Sequence, residues 1–309
     1  MHPAGSVIIF TVASGLGFGL LTWLGLGFPN VFGWEAFFYY AAGFALAGGG
    51  LLASTFHLGN PQRFLKAFSQ WRSSWLSREG CLSVLAMAVL GLFAIGSIFF
   101  NVGWQPLGYI GAFLAILTIL ATSMIYAQLK TVPRWNHWTT PILFLLLSLG
   151  GGALLAFQIL AGLLLLCLAG GVQLLAWRLG DRRFQQSGTD IGTATGLGSR
   201  GKVRAFEPPH TGNNYLLKEM VHIVGRKHAL KLRVISFSTM ILMPIGLLTI
   251  SSAIPVVFVA LILHMVGTFV QRWLFFAEAE HVVGLYYGTI SYTHLRAHET
   301  LRYLVCRLL

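Results

Sequence analysis

Eight apolar stretches, each about as long as a bilayer is thick, set the first limit on what this chain can fold into. They run from Ser6 to Phe28 and over residues 36–57, 80–100, 108–129, 140–158, 160–177, 234–252 and 254–275. A helix needs ~20 residues to cross the ~30 Å hydrocarbon layer, and in lipid each backbone N–H and C=O must be satisfied within its own segment. The expectation is therefore an all-α integral membrane protein, an eight-transmembrane-helix bundle. Only 10% of the 309 residues are charged and 56% are hydrophobic, whereas soluble domains carry about 25% charged residues, so an ordinary soluble enzyme is excluded. Met1 to Ser6 contains no Lys or Arg, and the first run is long enough to span, which reads as a retained helix rather than a cleaved signal. Thr140 to Trp177 is almost uninterrupted, about twice the ~20 residues of one crossing, so a tight hairpin is expected near Gln158 to Gly162. The last two spans part near Ala253 to Pro255, where Pro255 is placed to open a helix.

Charge supplies the orientation. The chain has 21 Lys+Arg against 9 Asp+Glu, a net charge of +12. In a soluble protein that balance would suggest nucleic acid; in a membrane protein it reports which loops stay in the cytoplasm. Eight spans put both termini and the second, fourth and sixth connections on one side. Arg63, Lys66, Arg72 and Arg78 fall in the second connection, Lys130 and Arg134 in the fourth, eleven cations from Arg178 to Arg233 in the sixth, and Arg272 at the end of the last helix. The opposite side carries Glu35 alone. Both termini are therefore expected in the cytoplasm of a multi-pass protein of a bacterial inner membrane. The chain divides into six transmembrane helices (1–177), a basic cytoplasmic loop (178–233), and two transmembrane helices with an interfacial tail (234–288).

The connections carry their own patterns. Phe64, Phe68, Trp71 and Trp75 recur at spacings of four, three and four, one face of a helix. With Arg63, Lys66 and Arg72 beside them they predict an interfacial amphipathic helix between helices 2 and 3, either a collar in the headgroup plane or part of a site. Trp135 and Trp138 read as interfacial belt residues. The sixth connection is too short for its own core; its Glu207 to Tyr215 stretch and an expected helix from Leu216 to Leu230 read as a docking surface for a cytoplasmic partner, with attraction to anionic lipid as the alternative. Small residues within the spans, including Gly15, Gly17, Gly19 and Gly150 to Gly152, permit close helix approach. A Gly-x-Gly-x-x-Gly string at Gly196 to Gly201 lacks a preceding strand and is no dinucleotide site. Cys81, Cys167 and Cys306 form no ligand-like pair, so no metal site is expected.

Ionisable residues near the membrane are the candidates for chemistry. His57 closes the second span and Glu79 opens the third, both at the cytoplasmic end. An imidazole there can accept a proton near neutral pH; the carboxylate is favoured by the helix dipole and Arg78 and disfavoured by burial. Together they suit proton acceptance from a reduced lipid-soluble carrier. The plainer alternative has Glu79 capping its helix or pairing with Arg78, and His57 bonding a carbonyl. His264 and His281 raise the possibility of a haem, but His264 lacks an evident partner at its depth and reads as a packing residue. Gln158 and Gln173 read as interhelical hydrogen-bonders or caps.

Several of these segments resemble a known family. Met1 to Phe10, Phe56 to Gly59 with Pro61 and Arg63, Ser74 to Glu79, Thr131 to Pro133 with Trp135, and Thr140-Pro141 are similar to the membrane-anchor subunit of dimethyl sulfoxide reductase-type molybdoenzymes, over most of residues 1–288. The resemblance implies an oxidoreductase complex in which an anchor without a tightly bound cofactor of its own holds an iron–sulfur electron-transfer subunit and a molybdopterin catalytic subunit at the membrane, exchanging electrons with quinone or quinol. It implies that His57 and Glu79 handle protons and that Arg63 and Arg78 join them in binding quinone. The best-studied branch is drawn with its termini and quinol site in the periplasm, whereas the charge count here places them in the cytoplasm. Glu207 to Tyr215 with Arg226-Lys227-His228 looks more like the cytoplasmically facing, sulfite-oxidising branch. A polytopic transporter without redox partners is the competing class, and no repeat of broken helices with midplane charges supports it. Finally, Ser291 to Thr300 with Leu304 to Leu309 resembles a translated sequencing-library adapter; without 291–309, eighteen cations and a net charge of +10 remain.

Overall fold

A computed structural model describes residues 4–55, 65–66, 68–204 and 228–285; among them every regular element is helical. Among the described residues seven helices are long and apolar enough to cross a membrane: α1 (Gly5–Gly25), α2 (Gly33–Thr55), α3 (Trp75–Phe99), α4 (Gln105–Ala127), α6 (Ile159–Gln186), α7 (Ala229–Ile250) and α8 (Ile254–Ala277). A shorter apolar helix, α5 (Thr139–Leu155), lies between α4 and α6. The expected hairpin falls slightly earlier than the sequence suggests. α5 ends at Leu155, and Phe157 turns the chain with φ of +54° while the Gln158 amide donates to the Ala153 carbonyl. Helices also extend past the expected membrane limits: α6 runs on to Gln186 and α7 starts at Ala229, so both ends of the sixth connection are helical.

α1 is the hub. Of its most apolar window 78% is buried, against 28% for α2, α6 and α7, and it packs on α2, α4 and α5. The sequence allows this because small residues face its neighbours. A Cβ on Gly19 would collide with the Ser148 carbonyl oxygen, and one on Gly152 would collide with the Gly19 backbone. Without a hydrophobic drive between helices in lipid, such close backbone packing is a main source of association. The Trp23 indole N–H adds a hydrogen bond to the Leu149 carbonyl (2.9 Å).

α7 contains a π-helical turn at Ser238–Leu242, just before Pro244. Proline has no N–H to give the carbonyl four residues back and its ring clashes there, so the turn widens. The freed Met240 carbonyl lies 2.9 Å from Nδ1 of the buried His264 on α8. The Ser236 hydroxyl donates to Gly267 O.

The described part of the second connection, Leu65–Lys66 and Phe68–Ser74, consists of 3-10 and turn geometry rather than one continuous helix. Arg78 accounts for this local shape, since its guanidinium donates to the Trp71 and Arg72 carbonyls and stacks on the Trp75 ring. Phe64, most of the expected helix 216–230 and the adapter-like tail lie outside the described residues. Trp135 is not a belt residue. Its side chain is buried, stacks on Phe275 and donates through Nε1 to the Phe275 carbonyl (2.9 Å), whereas Trp138 is exposed.

Candidate functional site

Glu79 sits one turn into α3, which starts behind an N-cap at Ser74. Its side chain is buried and points across to α4, where the Thr122 hydroxyl donates to Oε1. Among the described residues Glu79 makes no ion pair. Arg78, its neighbour in sequence, faces the connecting segment instead, so neither capping nor an Arg78 pair explains the carboxyl. His57 and Arg63 lie outside the described residues; His57 follows Thr55, the last residue of α2, by two positions. α2 packs on α3.

Behind Thr122 the bundle interior is polar. Thr122, Thr11, Ser14 and Ser148, from α4, α1 and α5, line a small cavity closed by Phe18, Ile119 and Phe144. The hydroxyls of Thr11, Ser14 and Thr122 also bond back to their own helices, as Ser14 does to Phe10 O.

The far side of Phe144 faces a second polar region that the sequence did not single out. A cleft between α5, α6 and α8 is lined by Thr139, Thr140, Gln173, Gln271, Arg272 and Glu278, among others. Arg272, expected at the end of the last helix, is instead buried at 2% exposure inside α8, with its guanidinium carbon 3.5 Å from the Phe144 ring centroid. Among the described residues its Nε has no hydrogen-bond partner and Arg272 forms no ion pair. A desolvated cation–π contact contributes about 2 kcal/mol, while taking an ion out of water costs several kcal/mol; the ring alone does not offset the burial. Gln271 donates to Gln173 Oε1 (3.0 Å), so Gln173 does bridge helices, but Gln271 Oε1 is buried without a partner.

At the mouth of the cleft lies the opposite arrangement. Arg134 contacts Asp181 (2.7 Å) and Glu278 (3.5 Å), and Arg233 contacts Asp181 (2.6 Å) and Glu278 (2.7 Å). Two cations and two carboxylates alternate, joining the fourth connection, α6, α7 and the residue after α8. Nearby, His137 accepts from the Thr139 amide, and burial followed by the Arg183 charge lowers its pKa from the usual histidine value. Among the described residues no cluster of three or more His, Cys, Asp or Glu could hold a metal ion.

Residues 2–166, more than half of the chain, match the family model of the DMSO reductase anchor subunit (DmsC). The chain belongs to this family. It is 31% identical to a sulfite dehydrogenase subunit of Allochromatium vinosum, over 94% of this chain and 100% of that one. It is 33% identical to the anaerobic dimethyl sulfoxide reductase chain YnfH of Escherichia coli over 37% of this chain and 41% of that one. No solved structure gives a significant match. The DMSO reductase anchor match covers α1 to α5 and so holds His57, Glu79 and Thr122; Gln173, Gln271 and Arg272 lie beyond it, within the reach of the sulfite dehydrogenase relative. Thr122 escaped the sequence reading because hydroxyls are common on these helices; a spacing of 43 residues to Glu79 carries no signal.

Proposed function

We propose that this DMSO reductase anchor subunit is the quinone-reactive subunit of a molybdenum/iron–sulfur oxidoreductase, binding quinol or quinone at the cytoplasmic end of α2 and α3. The observation that carries the reading is Glu79, a carboxyl buried in the bundle, free of cations among the described residues and hydrogen-bonded to a hydroxyl on the next helix. A quinol needs a nearby group that accepts a proton as its electrons leave, and a titratable side chain within hydrogen-bond reach supplies that. His57, 22 residues earlier, is the second proton-handling group, and Arg63 and Arg78 are the proposed quinone-binding cations. Electrons pass to or from a docked iron–sulfur subunit and thence to a molybdopterin subunit. The basic sixth connection is the docking surface; S- or N-oxide reduction and sulfite oxidation are both compatible with such an anchor.

The four-residue ion network supports eight crossings. Arg134 precedes α5 and Asp181 lies near the end of α6, yet they touch, which is what two full traverses joined by a hairpin produce. α5 spans about 25 Å at 1.5 Å per residue, close to one hydrocarbon thickness. The same contacts hold described cations of the fourth and sixth connections at one end, as the charge count requires for cytoplasmic termini. Phe68, Trp71 and Trp75 then lie at the interface beside the site.

Binding of a fluorescent quinol analogue to membranes carrying the complex tests the site. His57→Arg should abolish it and Glu79→Gln weaken it; unchanged binding in both variants overturns the assignment. Purification in mild detergent should bring an iron–sulfur protein with the chain, whereas a chain that elutes alone would point to the transporter class.

A further inference from the structure

We infer that the cleft between α5, α6 and α8 binds a phosphate-type oxyanion, with Arg272 as its cation. The surroundings favour the headgroup of an anionic phospholipid of the phosphatidylglycerol kind as its source. The inference is independent of the quinone reading, since none of the residues involved belongs to the Glu79 site.

At this end of the bundle Arg134 and Arg233 are matched by Asp181 and Glu278, which leaves Arg272 as a buried cation with no carboxylate among the described residues. Buried charges are paired or bind something charged, and Arg is suited to phosphate through its planar fork of donors. Glu278 also lines the cleft, but its Oε1 and Oε2 are each held by an arginine, so it does not repel an anion as a free carboxylate would. A neutral ligand would leave the Arg272 charge uncompensated.

Two further features choose the kind of oxyanion. The unpartnered Gln271 Oε1 is an acceptor. A bare phosphodiester cannot satisfy it, whereas a glycerol hydroxyl on the headgroup can donate to it while the phosphate meets Arg272. Beside the polar Thr139, Thr140 and Gln173, the walls include Leu143, Phe144, Ala176, Trp177 and Phe275, apolar surface that suits the acyl-bearing side of a lipid. Lipid phosphates also lie at the depth of helix ends, and Arg272 is five residues from the end of α8.

The test uses the full chain in nanodiscs of phosphatidylcholine containing a minority of phosphatidylglycerol, released into detergent for native mass spectrometry. Wild type should retain phosphatidylglycerol in preference to the more abundant phosphatidylcholine, and Arg272→Gln should lose about tenfold of that preference, as expected for removal of one charge-assisted contact. A parallel arm compares thermal midpoints in pure phosphatidylcholine with inorganic phosphate or with chloride at equal ionic strength. An Arg272-dependent phosphate shift without lipid preference keeps the oxyanion site and assigns it to free phosphate. If wild type shows neither lipid preference nor phosphate shift, the inference is overturned, a result that needs no variant to fold.

Discussion

The two ways this protein holds charge at one end of its bundle differ sharply. At the mouth, Arg134, Asp181, Arg233 and Glu278 satisfy one another across four segments. A turn or two deeper, Glu79 and Arg272 are each buried without an ion-pair partner among the described residues, one leaning on a hydroxyl and the other on an aromatic ring. A matched network fastens helices and has little charge left for a ligand. An unmatched buried charge adds nothing to the fold by itself and still has its capacity to meet a ligand, which is the role proposed for both.

That contrast can be broken by mutation. The largest stability effect should come from Glu278→Ala, which leaves Arg233 and Arg134 sharing the half-exposed Asp181; removing one partner of a buried pair costs about 3 kcal/mol or more, to be read from the thermal midpoint of the purified chain. Next, Thr122→Val should cost about 1–3 kcal/mol by leaving the Glu79 carboxyl without its donor. It should also weaken quinol-analogue binding, while Thr118→Val, whose hydroxyl only bonds back to Leu114 O, leaves binding unchanged. Arg272→Met, in lipid-depleted detergent, should leave stability unchanged or raise it by about 1 kcal/mol. A loss as large as that of Glu278→Ala would mean that Arg272 belongs with the network after all.

The smallest effect concerns His137. Its pKa is lowered in the folded protein, by burial first and then by Arg183, so the unfolded chain takes up the proton first as pH falls. Its contribution to stability is present above the unfolded value, ~6.5, and is lost as pH drops from there to the folded value, below which no further loss follows. His137→Asn should therefore flatten the denaturation midpoint slightly across that window without moving it at pH about 8, well above the ~6.5 of an unfolded histidine.

The apolar runs located the membrane helices well because hydrophobic length is a local property. Boundaries were less legible. α6 and α7 continue past the bilayer limits because Asp181 and Arg233, polar enough to end an apolar run, are held by contacts with each other and with Arg134 and Glu278. The candidate site was half legible. Glu79 stood out as a carboxylate at a span boundary, but its orientation towards Thr122 depends on how α3 packs against α4. Arg272 was counted only as an orienting cation, since nothing in Gln271-Arg272-Trp273 says that Phe144, far earlier in the chain, will cover it. Trp135 was misplaced for a related reason: a tryptophan in a short loop reads as interfacial, and only the packing of Tyr126, Phe275 and Phe276 around it turns it inward.

The central position of α1 has a consequence for how the protein is made. It is synthesised before α5, yet its glycine-bearing face closes against α5, and Gly19 meets Gly152 backbone to backbone. Until the ribosome has delivered α5, that face of α1 lacks its partner. A nascent chain halted after α4 should expose α1 to membrane proteases and quality control, whereas one halted after α5 should already be protected.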